Sequence, residues 1–149
     1  MSMDATVRRF VVGFCFSQDR QQVVLIRKKR PAWQLGLLNG PGGRCEEGET
    51  FVDAMAREYH EETGGRVAPS EWELLCTLSG SGPMGPVEVA FFRAFSDAGI
   101  EDAHTVTDEG VMVFETFMVH AERTIPNLQW LIPLAVQDEV LLPFSMVFK

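Results

Sequence analysis

The residues from Gly40 to Gly65, GPGGRCEEGETFVDAMAREYHEETGG, place Glu46, Glu47, Glu49, Asp53, Glu58, Glu61 and Glu62 behind and beside a cluster of glycines. Between Thr50 and Thr63 there is neither proline nor glycine, Thr50 is a suitable N-cap, and Asp53 three residues on makes an imperfect capping box. The spacing predicts a helix. Successive helical residues turn by about 100°, so Glu58, Glu61 and Glu62 share one side of it. Val52, Met55, Ala56 and Tyr59 fill the adjoining arc and are expected to pack on a sheet, with Asp53 and His60 turned to water. Such a helix opposes itself, because like charges at i and i+4 repel and negative charge near a helix C-terminus works against the dipole. A partner of opposite sign resolves the conflict. Hard divalent cations such as Mg²⁺ prefer oxygen ligands and would turn the repulsion into chelation.

Around this helix the chain reads as strands. TVRRFVVGFCF and QQVVLIRKK are β-branched and apolar runs separated by the polar turn SQDR. RPAWQLGLLNGPGG is expected to be loop, with a short strand around Leu37 and Leu38. EWELLCTLSG and VEVAFFRAF resume the strand pattern about the turn SGPMGP, and GVMVFETFMV alternates as a further strand. NLQWLIPLAVQDEV has helical spacing, with Pro126 before an Asn127 cap and Pro133 expected to kink or interrupt it. Strands surrounding one early and one late helix predict an α/β fold with a mixed sheet. At 149 residues the chain is most simply a single domain, residues 1–149.

The formal charge of -8 and pI near 4.8 disfavour a nucleic acid polymer as partner. A small anionic substrate stays compatible if a bound metal lies between it and the carboxylates. Cys15, Cys45 and Cys76 are odd in number and lack metal-finger spacing, which suggests reduced thiols in a cytoplasmic protein. No run reaches the roughly 18 apolar residues of a membrane span. His60, His104 and His120 show no metal-ligand spacing.

The acidic segment resembles the signature of the Nudix hydrolases: Gly43, five residues, Glu49, seven residues, Arg57-Glu58, two residues, Glu61-Glu62, one residue, Gly64. Seven fixed letters at about 7% usage each arise by chance on the order of once in 10⁸ registers. Tyr59 and Gly65 depart from the pattern, since both positions are usually aliphatic, and the departures are expected to alter helix packing and helix exit. The resemblance implies an α/β/α sandwich with a mixed sheet and metal-dependent hydrolysis of a nucleoside diphosphate linked to another group. It implies Glu58, Glu61 and Glu62 as ligands of Mg²⁺, with Mn²⁺ able to substitute, and the backbone carbonyl of Gly42 as a further donor. Arg57 would orient the glutamates, Glu49 would brace the same network, and Glu61 would serve catalysis as well as metal binding. Gly43 would let backbone come close to metal and substrate.

Other segments bear on the substrate. Asn39, in LNGPGG, is either a turn asparagine or, by similarity to the oxidised-purine nucleoside triphosphatase branch of the family, a base contact. Glu109, in TDEG, is either a solvated loop acid or a further metal ligand or general base. IPNLQWLIPLA is similar to the last helix of that branch but offers Pro126 and Asn127 where the branch has aspartates, so Asn127 is a candidate base contact and the base preference does not carry over. Trp130 reads as core. Arg27 ends a strand, where a guanidinium either meets phosphate or is simply solvated. The expected substrate is a small nucleotide, foremost a nucleoside triphosphate, oxidised or not, cleaved to monophosphate and pyrophosphate. ADP-ribose or a nucleotide sugar is the alternative substrate, and a catalytically silent nucleotide-binding domain the alternative to an enzyme.

Overall fold

The computed structural model describes residues 6–145. Its strands are β1 (Arg8–Phe16), β2 (Gln22–Arg27), β3 (Leu38–Asn39), β4 (Gly42–Arg44), β5 (Glu73–Gly82), β6 (Gly85–Phe95) and β7 (Gly110–Glu115). The helices are α1 (Phe51–Thr63), α2 (Asp97–Glu101) and α3 (Leu128–Ala135). The strands form one sheet with the path β3-β2-β1-β6-β5, while β4 also pairs with β1 and β7 with β2. Only β1 and β6 run parallel among the named pairs, so the sheet is mixed.

Alternation along the central strands explains how two cores arise from one sheet. Side chains of a strand point to opposite faces in turn. Val11, Cys15, Val24, Ala90, Phe92 and Ala94 meet Ala54, Met55 and Tyr59 of α1 on one face. Phe14, Phe16, Val23, Leu25 and Phe91 meet Leu128, Leu131, Ile132 and Ala135 of α3 on the other. The result is an α/β/α sandwich.

One edge of β1 is shared. Its last residue, Phe16, pairs with Val23 of β2, whereas Phe10, Val11 and Val12 pair with β4. The segment from Leu38 to Arg44 therefore lies where β1 and β2 diverge, bonded to β2 through β3 and to β1 through β4. This brings the glycine pair against α1.

Several sequence expectations change. The apolar run GVMVFETFMV is strand only to Glu115, after which Thr116–Ala121 is a 3₁₀ helix. Glu115 pairs with Gln22, the first residue of β2, and after one more bond, from the Thr116 N–H to the Gln21 carbonyl at 2.8 Å, the alternation has no further strand to pair with. The late helix stops at Ala135, well before Val140, and Pro133 is accommodated inside it. Arg93, almost wholly buried, donates to the carbonyls of Ala135 (3.0 Å) and Gln137 (2.9 Å) and so closes that end. On α1 the fully buried positions are Ala54, Met55, Tyr59 and Thr63, while Val52 and Ala56 are only partly covered. Asp53 and His60 are exposed as expected. Trp130 packs, partly buried, against the α3-side core.

The two departures from the signature fit each other. The Tyr59 ring is buried, its hydroxyl donates to the Gly99 carbonyl at 2.8 Å, and it meets Trp72 edge-on at 5.4 Å. A Cβ at Gly65 would lie 2.9 Å from that same Tyr59 ring and 2.9 Å from the Gly99 carbonyl oxygen. A larger residue at 59 thus takes the space that an aliphatic side chain at 65 would need.

Candidate functional site

The α1 helix begins as its sequence requires: Thr50 accepts the Asp53 N–H at 3.2 Å, and Gly64, with φ 75°, ends it in the left-handed region. The His104 ring covers this exit closely, for a Cβ on Gly64 would sit 2.3 Å from it. With both ends fixed, the glutamates have a defined azimuth.

Arg57 is the organising cation. Its Nε and Nη2 form a fork on Glu49, both at 2.8 Å, Nη1 donates to Glu58 at 2.8 Å and Glu61 at 3.1 Å, and Nη2 also reaches the Arg44 carbonyl at 3.1 Å. Five donors have five acceptors. The arginine pulls the Glu49 carboxyl down to about 2, chiefly by this hydrogen bonding. Glu49 in turn accepts the Glu46 N–H at 3.0 Å and so fixes the loop entering the helix.

Glu58 and Glu62 behave differently because they are half-buried. Burial raises the Glu58 carboxyl even against its bond to Arg57, and raises Glu62 to about 7. Glu62 accepts the Gly42 N–H at 3.1 Å, and the charges of Glu58 and Glu109 push it upward while Lys28 opposes them. Glu61 is the exposed member, at 56%. The glycines are required by contact: a Cβ on Gly43 would be 2.5 Å from the Glu58 carboxylate, and one on Gly42 would be 1.9 Å from the Val11 carbonyl oxygen.

Glu109 comes from the other side of the sequence. It is 5% exposed, accepts the Lys29 N–H at 2.6 Å and pairs with the Lys28 ammonium at 3.1 Å. Those contacts outweigh burial and hold its pKa down. Next to it, Arg30 forks onto Asp108. The strands that align these residues are β2 and β7, with Arg27 opposite Gly110. Lys28 was not singled out from the sequence; the runs RKKR and TDEG were each visible, but their juxtaposition follows only from strand register.

Arg27 donates to the Gly36 carbonyl at 2.9 Å, bracing the loop between β2 and β3. The Asn39 Oδ1 accepts the Gly40 N–H at 2.8 Å. Asn127 forms no side-chain cap on α3, and its Oδ1 is buried without a partner. Ile125 N–H bonds the Leu38 carbonyl at 2.9 Å, which lays the approach to Asn127 beside β3 and Asn39.

The oxygen donors suit a divalent ion. Among the described residues no three carboxylate, imidazole or thiol side chains already converge on one point. Arg57 and Lys28 stand between them as counter-charges, and the half-buried Glu58 and Glu62 repel each other, which a hard cation would relieve. A groove of about 430 Å³ lies elsewhere, between the Thr116–Ala121 turn and α3. Its walls include Arg20 and Gln21, at the opposite end of β2 from Lys28, and none of its lining residues is acidic.

Among the described residues no helix is long and apolar enough to cross a membrane. Residues 7–131 match the NUDIX domain model. The uncharacterized Nudix hydrolase YvcI of Bacillus subtilis is 42% identical over 50 residues, 34% of this chain and 29% of that protein. The 8-oxo-dGDP phosphatase NUDT18 of Homo sapiens is 37% identical over 78 residues, 50% of this chain and 22% of that protein. The chain thus spans less than a third of either relative. A MutT structure from work on Aliivibrio salmonicida and Vibrio cholerae superposes with a TM-score of 0.69 at 20% identity, over 88% of this chain and 98% of that one. With the family model spanning most of the chain and the signature folded onto one helix and its glycine loop, the protein belongs to the Nudix hydrolase family.

Proposed function

We propose that this chain is a metal-dependent pyrophosphohydrolase acting on a small nucleotide, foremost a nucleoside triphosphate, oxidised or not, which it cleaves to monophosphate and pyrophosphate. The observation that carries this reading is the pair of half-buried carboxylates, Glu58 and Glu62, set against the Gly42–Gly43 backbone and braced by Arg57. Glu58, Glu61 and Glu62, with the Gly42 carbonyl, would hold Mg²⁺ or Mn²⁺. Bound there, such an ion neutralises phosphate charge and acidifies water. Arg57 and Glu49 keep Glu58 and Glu61 from relaxing toward solvent. Glu61, the exposed one of the three ligands, and Glu109, paired with Lys28, are the carboxylates that would accept a proton from water. Asn127, with its unpartnered Oδ1, and Asn39 beside it would read donors on a base. Arg27, once off the Gly36 carbonyl, would reach a phosphate.

The activity printed for NUDT18 supports including oxidised purine nucleotides among the substrates tested. The experiment is a panel of nucleoside triphosphates and diphosphates, their 8-oxo forms, ADP-ribose, a nucleotide sugar and a 5′-triphosphorylated RNA, each with Mg²⁺ or Mn²⁺, with products separated. Release of pyrophosphate with a nucleoside monophosphate supports the reading. Release of a sugar phosphate moves the chain to the ADP-ribose class, and nucleotide binding without turnover on any member makes it a silent binding domain.

A further inference from the structure

We infer that Lys28 is a built-in counter-ion of the carboxylate cluster, which competes with the divalent cation for the space between Glu62 and Glu109 and moves out when the cation binds. The inference rests on the metal-dependent reading above and concerns a residue outside the family signature.

The geometry is specific. The Lys28 side chain is only 15% exposed and that of Glu109 6%, so their 3.1 Å contact is a largely buried pair. Burying a carboxylate without a partner is costly, and here the partners are one ammonium and the backbone N–H groups of Lys29 and Arg30. Lys28 also acts through space on Glu62, whose other near charges, Glu58 and Glu109, are both negative. Arg57 serves Glu49, Glu58 and Glu61 but has no bond to Glu62 or Glu109. The cluster therefore has two cationic centres, one for each side. Arg57 is tied by five bonds, whereas the Lys28 ammonium has a single side-chain partner and a flexible four-carbon stem. Of the two, Lys28 is the one able to leave.

A divalent ion held by Glu58, Glu61 and Glu62 would repel the ammonium and take over its charge beside Glu62. Lys28 then swings toward solvent from its place just beyond the end of β2. In the cation-free protein the lysine offsets the like charge of Glu62 and Glu109. It also lowers the affinity for free metal.

Two measurements test this. Purified wild-type protein is acetylated with a limiting reagent, with and without saturating Mg²⁺ and no nucleotide, and Lys28 is read by mass spectrometry against exposed Lys29. Mg²⁺ is expected to raise the Lys28/Lys29 labelling ratio severalfold; an unchanged or lowered ratio overturns the inference. Mn²⁺ binding to nucleotide-free protein is then followed by electron paramagnetic resonance in wild type, Lys28→Met and Lys28→Arg. The expected result is about tenfold tighter binding in Lys28→Met and near wild-type binding in Lys28→Arg. Equal or weaker binding in Lys28→Met overturns the counter-ion role while leaving the metal reading intact. Absence of Mn²⁺ binding in the wild type, with or without nucleotide, brings down the metal reading itself. The labelling experiment needs no variant and decides the case if Lys28→Met fails to fold.

Discussion

The two faces of the sheet are built on different terms. Behind α3, Phe14, Phe16, Leu25, Leu75, Leu128 and Leu131 are fully buried among themselves, and the buried Arg93 places its donors on the end of the helix and on Glu73. Behind α1 the core is as dry at Met55 and Tyr59, yet the helix carries Glu58 and Glu62 into half-buried positions where both carboxyls are pushed up. One face stores stability and the other spends some of it on a charged site. Natural proteins commonly hold such destabilised groups where function needs them.

The largest separation of the two faces should come from Leu75→Ala. Leu75 is fully buried in the α3-side core, on the opposite face of the sheet from α1 and its carboxylates. Its truncation is expected to cost about 2–5 kcal/mol in urea unfolding. The turnover of the folded fraction should stay within about twofold of wild type. A variant that kept its stability but lost turnover would mean that the two faces are coupled through the sheet.

Glu62→Gln should do the reverse. Glutamine can still accept the Gly42 N–H but carries no charge, so the expected loss in hydrolysis is at least about a hundredfold, near 2.7 kcal/mol. Stability should move the other way. The folded carboxyl, at about 7, is above its unfolded value of 4.5, so between those pH values the native state holds a proton that the unfolded chain releases. Wild-type stability therefore declines as pH rises through that window, and above it the ionised Glu62 costs the fold on the order of 1–3 kcal/mol. In chelator-containing buffer the glutamine variant should match wild type near pH 4 and exceed it above pH 7. Equal unfolding curves at pH 8 would show that Glu62 is comfortable as an anion and remove the contrast between the faces.

How much of this could be read without coordinates differs between the faces in an instructive way. The carboxylates and Arg57 of α1 and the glycines of β4 were legible because charge at helical spacing and close backbone approach demand fixed residue types at fixed positions along one helix and one loop. Lys28 was hidden, since its partner Glu109 is 81 residues away and reaches it only through the β2–β7 register. The α3 face was legible as apolar spacing but not in its limits. The 3₁₀ turn at Thr116–Ala121 replaced an expected strand because pairing with the β2 side goes no further than the Thr116 N–H on the Gln21 carbonyl, and α3 ended where Arg93 captures its carbonyls. Local chemistry shows in the sequence; long-range partners do not.

The smallest effect probes the seam between core and site on the α1 face itself. Tyr59 and Gly65 both depart from the family pattern, and the structure makes them one packing unit, since a Cβ at 65 would press on the Tyr59 ring at 2.9 Å. Gly65→Val alone should overpack this seam and cost about 1–3 kcal/mol. Tyr59→Leu alone should open a gap and orphan the Gly99 carbonyl, which now accepts the tyrosine hydroxyl at 2.8 Å. Placed together, the two changes restore the aliphatic pair, and the double variant should be more stable than the sum of the single losses by about 1 kcal/mol or more. The helix exit at Gly64 lies between them, two residues from Glu62, so turnover reports whether the seam also sets the carboxylate's position. Strict additivity of the two losses in unfolding would mean that Tyr59 and Gly65 are independent departures, and that the α1 face tolerates changes at its core without reference to its site.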